Sequence, residues 1–310
     1  MSTSKRRPRQ RGPFKCGFVS IIGLPNAGKS TLLNALLGQK LAIVAPKPQT
    51  TRTVVQGVLS IPGAQIVFLD TPGIHESDSL INKRMMQIVR GAAEERDLLL
   101  YVTDATHAPG PEDQRAVDFA KKSGAPVFAI LNKVDRLRDK GVLFDRIHQY
   151  QALHPFAEFI PVSALKGDGI EDLKRSIVKV LPEGAAVFPP DYLTDQPERF
   201  LAAELIREKI LRHTHQEVPH AIAVVIERWE ETAALTRISA TVFVERAGQK
   251  AIVIGKGGEM LKRTGTAARK DIEELLGRKV FLELFVKVKE RWREDAAFLN
   301  EIDWRAMAGE

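Results

Sequence analysis

Gly23-Leu24-Pro25-Asn26-Ala27-Gly28-Lys29-Ser30 stands between a β-branched apolar run, Gly17–Ile22, and a segment of helical period that opens at Lys29. It fits G-x-x-x-x-G-K-[ST], and its strand-then-helix setting is the one that pattern needs. Glycines at both ends let the main chain wrap a phosphate chain. Successive N–H groups at a helix N-terminus then make a preformed anion nest, with Thr31 just inside the helix. Lys29 is placed to reach β- and γ-phosphates, and the Ser30 hydroxyl to ligate Mg²⁺, which neutralises charge during phosphoryl transfer.

Outward from this loop, short β-branched runs alternate with segments of helical period from Lys15 to Leu181, the pattern of a parallel sheet wrapped by helices. The spacing predicts strands at Gly17–Ile22, Val54–Ile61, Gln65–Asp70, Leu98–Asp104, Val127–Asn132 and Phe159–Val162. Helices are predicted to open at Lys29, near Leu80, at Pro111, near Val142 and near Ile170. Val54–Ile61 and Gln65–Asp70 are too close for a crossover, so they should form an antiparallel hairpin. The expected fold is an α/β P-loop domain with a six-stranded, mostly parallel sheet.

Asp70-Thr71-Pro72-Gly73 follows the second hairpin strand, where the carboxylate can meet Mg²⁺ through water and the Gly73 N–H can contact a γ-phosphate. Alone, such a tetrapeptide suits an ordinary turn. Asn132-Lys133-Val134-Asp135 ends another apolar strand. There Asp135 can accept from both N1–H and the 2-amino group of guanine, a donor pair that adenine lacks. A buried carboxylate left unpaired by the wrong base rejects it by orders of magnitude. Ser163-Ala164-Leu165, at the end of the next strand, offers backbone N–H to the guanine O6. Four motifs in this order, each at a strand end, point to GTP and GDP rather than ATP. Ile74 stands where Ras-like enzymes carry the glutamine that orients water, so unassisted hydrolysis should be slow. Asn26 resembles the P-loop asparagine that helps bind K⁺ in related GTPases, which makes K⁺ an expected ion beside Mg²⁺.

The stretch 182–197, with four prolines and little periodicity, reads as an ordered linker between two cores. Beyond it come a helix at Glu198–His213, strands at Ala221–Glu227 and Ile238–Val244, a second helix and a last strand at Val280–Lys287. Val253-Ile254-Gly255-Lys256-Gly257-Gly258 sets a G-x-x-G turn between a strand and a helix, as in KH domains, where such a loop clamps about four nucleotides of single-stranded backbone. From Gln249 to Lys270 there are six basic residues, among them Lys250, Lys256, Lys262 and Arg263, against only Glu259, so the turn sits on a locally basic edge. Phe281, Phe285, Trp229 and Trp292 are expected in the core rather than stacked on bases.

The 310 residues carry a formal charge of +7. Residues 1–15 hold six Lys/Arg and no acid, while the rest is nearly balanced, so the excess lies mostly in an N-terminal arm. That arm, 1–14, is expected to be disordered, and it lacks the apolar region of a signal peptide. Cys16 is the only cysteine, which excludes an intramolecular disulfide and a cysteine-rich zinc site, and suits a cytoplasmic protein. Apolar runs fall far short of the ~20 residues a membrane span requires. Peripheral association at the inner face of the cell membrane is thus the remaining membrane option. The resulting division is arm 1–14, nucleotide-binding domain 15–181, linker 182–197, RNA-binding domain 198–293 and tail 294–310.

The chain resembles the Era family of GTPases, in the larger group that includes TrmE and Der. Beyond the nucleotide motifs, the strings that carry the resemblance are Pro48-Gln49-Thr50-Thr51-Arg52, Arg199-Phe200, Val244-Glu245-Arg246 and Lys287-Val288-Lys289. The resemblance implies a first switch at Gln49, Thr50, Thr51, Arg52 and Thr53, in which Thr51, with Thr50 as the alternative, closes on Mg²⁺ and γ-phosphate. Asp70, Thr71, Pro72, Gly73 and Ile74 are then the second switch. It also implies a type II KH domain, a single chain acting as a monomer, and binding to the 3′ region of small-subunit ribosomal RNA during 30S subunit maturation. An RNA chaperone in which GTP is only a structural ligand is the competing class.

Overall fold

Strands that end in the nucleotide motifs lie side by side in the computed structural model, which describes residues 13–47, 49–74, 79–94 and 96–303. The basic arm up to residue 12 and Pro48 of the first-switch string lie outside the described residues. In chain order the first domain comprises β1 (Lys15–Ile22), α1 (Lys29–Leu37), β2 (Val55–Ile61), β3 (Ala64–Asp70), α2 (Leu80–Ala93) and β4 (Leu98–Asp104). It continues with α3 (Pro111–Lys121), β5 (Val127–Asn132), α4 (Val142–Leu153), β6 (Glu158–Pro161) and α5 (Ile170–Val180).

The sheet runs β2-β3-β1-β4-β5-β6, with only the β2–β3 pair antiparallel. Pro62 and Gly63 close that hairpin, and Gly63 at φ 87° takes the left-handed position a tight turn requires. β4 and β5 are buried almost throughout because helices cover both faces of the sheet, which is why they read as unbroken apolar runs. Since β1 lies between β3 and β4, the chain leaves it toward opposite sides, opening a crevice at the carboxyl ends of the strands. The P-loop lies there.

The second domain comprises α6 (Glu198–His213), β7 (Ala223–Glu231), β8 (Thr236–Val244), α7 (Ala247–Ile254), α8 (Glu259–Leu276) and β9 (Val280–Val288). β8 pairs antiparallel with β7 and parallel with β9. Its G-x-x-G turn lies between two helices, not between the expected strand and helix. The β-branched run Ile252-Val253-Ile254 looks strand-like in isolation. Here Gln249 Oε1 accepts from the Glu245 and Arg246 N–H groups at 2.9 and 3.0 Å, closing a helix N-terminus, and Val253 alone turns fully inward. Phe281 and Phe285 also depart from expectation. They are 45% and 51% exposed, on the face of the edge strand β9 turned away from the helices, while Trp292 is buried.

The two cores interlock. Ile43, from the segment between α1 and β2, is buried in the core of the second domain, and Phe200 and Leu201 of α6 are buried in that of the first. The linker is strapped along β2 and β3: Gln65 Oε1 accepts from the N–H groups of Val187 and Phe188, Gln65 Nε2 donates to the Phe188 carbonyl, and Val58 N donates to the Leu193 carbonyl. Part of the stretch 294–310, read as a tail, is a short helix, α9 (Ala296–Glu301), because Phe298 and Leu299 bury themselves with Trp292 against Ile81 of α2. Among the described residues no helix is long and apolar enough to cross a membrane.

Candidate nucleotide and nucleic-acid sites

The P-loop backbone is shaped by contacts that leave no room for side chains. Gly23 has φ 144°, and a Cβ there would lie 2.2 Å from the Val102 carbonyl oxygen. Gly28 has φ 98°, and its Cβ would lie 2.3 Å from Asn132 Nδ2. Between them Asn26 also takes positive φ, and Ala27 is buried. α1 starts at Lys29, whose buried ammonium donates to the carbonyls of Gly23 and Leu24 at 3.1 and 2.9 Å. Desolvation lowers its pKa to about 8, against the opposing pull of Asp70.

Asp70, at the end of β3, is wholly buried, and burial pushes its carboxyl up to about 6 despite the hydrogen bonds and the Lys29 charge that favour ionisation. Ser30 Oγ donates to Asp70 Oδ2 at 2.6 Å and lies 2.8 Å from Thr51 Oγ1. Thr50 is engaged elsewhere, its hydroxyl donating to the Lys47 carbonyl at 2.7 Å. Asp70 Oδ1 is buried without a hydrogen bond. A buried oxygen with no donor, beside two hydroxyls and a carboxylate that resists ionisation, is a donor set that fits Mg²⁺, a hard cation that takes oxygen ligands. Thr71 Oγ1 donates to the Ile21 carbonyl at 2.8 Å, and Ile74 N to the Gly23 carbonyl at 3.1 Å. Gly73 packs so closely on Pro25 that a Cβ would approach it to 2.8 Å. A cleft of about 60 Å³ bounded by Asn26, Lys29, Thr31, Thr51 and Gly73 lies over the loop.

The residues expected to read the base are stitched to the P-loop. Asn132 Nδ2 donates to the Ala27 carbonyl at 2.9 Å, while its Oδ1 accepts from Lys133 N at 2.8 Å and Ala164 N at 3.0 Å. Lys133, at φ 67°, donates to the Asn26 carbonyl and to Asp104 Oδ2, both at 2.7 Å. Burial opposes the ionisation of Asp104, but Lys133 and Thr106 outweigh it and hold the carboxyl below its usual range. Asp135 Oδ1 accepts from the Ser163 hydroxyl at 2.6 Å, and Leu165 beside it is 69% exposed. All six residues expected around guanine thus converge on the carboxyl ends of β5 and β6.

In the second domain Gly255, Gly257 and Gly258 all have positive φ, and Lys256 and Gly257 are exposed at the tip between α7 and α8. Gly265 lets α8 approach β9, since a Cβ there would meet Leu284 at 3.3 Å. Alongside runs a groove of about 410 Å³ with Gly258, Lys262 and Arg269 on one side and Leu282 and Leu284 on the other. Lys250 and Arg263 are not among its lining residues.

Residues 18–133 match the model of a family described as 50S ribosome-binding GTPases, and residues 217–293 match that of the KH domain. The chain is 51% identical to GTPase Era of Geobacter metallireducens, over 94% of this chain and 98% of that one. It is 49% identical to GTPase Era of Syntrophus aciditrophicus, over 94% and 95%. The chain belongs to the Era GTPase family. Solved structures agree. An Aquifex aeolicus Era bound to GDP·AlF₄⁻ superposes with a TM-score of 0.91 at 42% identity, covering 94% of this chain and 99% of that one. An Era in complex with MgGDPNP and nucleotides 1506–1542 of 16S ribosomal RNA gives 0.91 at 41%, with the same coverage.

Reading the sequence as an Era missed some residues that shape the sites. Asp104 is one, and its signal was available: like Asn132 it is the polar residue that ends a buried strand, and β4 and β5 are neighbours with these two residues paired. Asn34, whose Oδ1 accepts from Leu41 N and Ala42 N at 2.9 Å, anchors the chain that leads into the expected first switch. Arg207 and Glu208 gave no such signal, because in a charged helix nothing marks which charges turn inward.

Proposed function

We propose that this protein is a GTP-binding and GTP-hydrolysing switch that binds single-stranded small-subunit ribosomal RNA near its 3′ end and assists maturation of the 30S subunit. The observation that carries this reading is the convergence, at one sheet edge, of the P-loop, Asp70, Thr51 and the Asn132–Asp135 pocket, in a chain that also holds a KH groove. An Era of the same architecture has been captured with MgGDPNP and a 16S ribosomal RNA fragment.

In this reading Asp135 accepts from guanine, Ala164 and Leu165 present main-chain N–H groups to its O6, and Lys133 closes the base loop onto the P-loop. Main-chain N–H groups of 24–31 cradle the phosphates, and Lys29 exchanges its carbonyl partners for phosphate oxygens. Ser30, Thr51 and Asp70 would hold Mg²⁺, which when bound offsets the charge that develops on the transferring phosphoryl group. Gly73 N–H senses the γ-phosphate, a role supported by its main-chain neighbour Ile74 being tied to Gly23. Ile74 cannot orient water, so unassisted turnover should lie near ~10⁻⁴–10⁻² s⁻¹. Asn26 is proposed as a K⁺ ligand that raises this rate. The G-x-x-G tip, with Lys256 and Lys262, clamps phosphates along the groove while Leu282 and Leu284 face the bases. The protein acts in the cytoplasm as a monomer, and any membrane contact is peripheral.

The test is crosslinking to cellular RNA followed by sequencing, in GTP-analogue and GDP states, alongside turnover in K⁺ and in Na⁺. Reads concentrated at the 3′ end of small-subunit ribosomal RNA are expected. RNA recovered without that concentration would defeat the ribosomal reading, and equal turnover in both ions would remove the role of Asn26.

A further inference from the structure

Three consecutive residues of the first switch are held by different domains. Thr51 turns toward the phosphate site, with its hydroxyl 2.8 Å from Ser30 Oγ. Before it, the Thr50 carbonyl accepts a hydrogen bond from Arg207 of α6. After it, the Arg52 guanidinium donates to the carbonyls of Ile222 at 2.6 Å and His220 at 3.2 Å, and lies 5.4 Å from the centre of the Trp292 ring. The start of the segment is held too: Val44 N donates to Glu208 Oε1 at 2.9 Å, and the Val44 carbonyl accepts from Arg212 at 3.1 Å.

Arg207 is 2% exposed and Glu208 is fully buried. Charges sunk to that depth are costly unless paired and hydrogen-bonded. Their partners here include main-chain atoms of the switch, together with Glu204, Lys40 and Arg212. Helix α6 is therefore built to receive this segment in this position, although it contributes nothing to the phosphate or base contacts. Lys40, which bonds Glu208 at 2.7 Å, also reaches Asp271 on α8 at 2.7 Å, the helix that opens with the G-x-x-G turn.

We propose that Arg52 and Arg207 are positioning residues for GTP hydrolysis: by fastening the residues on either side of Thr51 to the RNA-binding domain, they hold its hydroxyl at the Mg²⁺ and γ-phosphate side of the site. This rests on the GTPase reading above. A switch segment without those anchors must be ordered at each turnover, which subtracts from the advantage of prepositioned groups. The loss falls on steps that use Thr51. Guanine and the α- and β-phosphates are held by other residues, so GDP affinity is spared.

The experiment uses the full chain with Arg207→Met, which keeps length and removes charge, and Arg52→Lys, which keeps charge and loses the planar fork. Single-turnover rate at saturating GTP, Mg²⁺ concentration for half-maximal rate, GDP affinity and thermal unfolding are measured for each. Expected are a rate loss of at least roughly fivefold and a rise of at least roughly threefold in the Mg²⁺ requirement, with GDP affinity within about twofold of wild type. Arg207→Lys, able to reach the Thr50 carbonyl again, should recover part of the rate. Folded variants with wild-type rate and Mg²⁺ dependence would overturn the proposal, as would GDP affinity falling in step with rate. Should the wild type bind no guanine nucleotide, the GTPase reading itself fails, an outcome visible before any variant is made.

Discussion

The Ser163 hydroxyl donates to the Asp135 carboxylate at 2.6 Å, so the residue proposed to read the base is oriented by the loop proposed to contact its O6. One oxygen of the carboxylate is thereby fixed. Asp135→Asn should lower GTP affinity by about 100-fold or more and turn preference toward xanthosine nucleotides, whose 2-oxo group matches an amide donor. Competition binding with GTP, ATP and XTP measures it. A variant that still prefers GTP would mean Asp135 is not the reader.

Asn132 carries a different load. Its side chain joins Ala27 of the P-loop to Ala164 of the loop after β6, and Asn132→Ala would leave the buried Ala27 carbonyl and Ala164 N–H without those partners. A loss of about 2–4 kcal/mol in stability is expected, at about 1–3 kcal/mol per orphaned group less any rescue by water. Asn132→Asp keeps the acceptor but sets a carboxylate oxygen against the Ala27 carbonyl, so it should be no better. Denaturant unfolding of both variants tests this.

Asp70 gives the pH dependence. Burial pushes its carboxyl up to about 6 from an ordinary 3.8, so between about pH 4 and 6 the ion-free folded protein holds a proton that the unfolded chain has released. Its contribution to stability is therefore greatest below pH 4 and falls, by about 3 kcal/mol at most, as pH climbs from 4 through 6. Mg²⁺ affinity runs the opposite way. It should be flat above about pH 7 and weaken by up to tenfold per unit below 6, where the ion must displace a proton. Calorimetric Mg²⁺ titrations from pH 5 to 8 in the presence of GDP would show it, and unchanged affinity at pH 5 would contradict the assignment.

At the proposed RNA site, Lys256→Asp should weaken binding to single-stranded small-subunit RNA by at least roughly tenfold, or ~1.4 kcal/mol, by placing a carboxylate at the exposed tip proposed to meet phosphates. GTP affinity and melting temperature should hardly move. Gly257 has open space around it but φ 60°, so Gly257→Asn should be tolerated by the fold, whereas Gly255→Ala would drive a Cβ to 2.6 Å from Met260 Cβ. Fluorescence anisotropy at fixed salt ranks the three.

Much of this was legible because the chemistry is local. The P-loop, the hairpin and the Asn132–Asp135 motif are each announced by residue types within a few positions of one another, although the bonds that join Asn132 to Ala27 and Ala164 come only with the fold. Helix α7 reads as a strand from its three β-branched residues because the Gln249 cap that makes it a helix lies at the other end of the segment. Hydrophobicity alone assigns Phe281 and Phe285 to a core, and what exposes them is that they alternate onto the sheet face that the helices leave uncovered, a property of the assembled domain. The proposal of Thr51 rather than Thr50 rests on contacts that the string does not carry: the Thr51 hydroxyl lies 2.8 Å from Ser30 Oγ, while that of Thr50 donates to the Lys47 carbonyl.

The interlocked cores bear on how such a protein can be cut or recombined. A break anywhere in 182–197 would strip Phe200 and Leu201 from one half and Ile43 from the other, leaving each fragment with an unfilled hollow and a bare apolar protrusion. Calorimetry of the intact chain should then show one heat-absorption peak rather than two, and a fragment ending near Leu181 should be poorly soluble. Though the genes for such domains can be shuffled as separate cassettes, each of these two is finished by side chains borrowed from its neighbour.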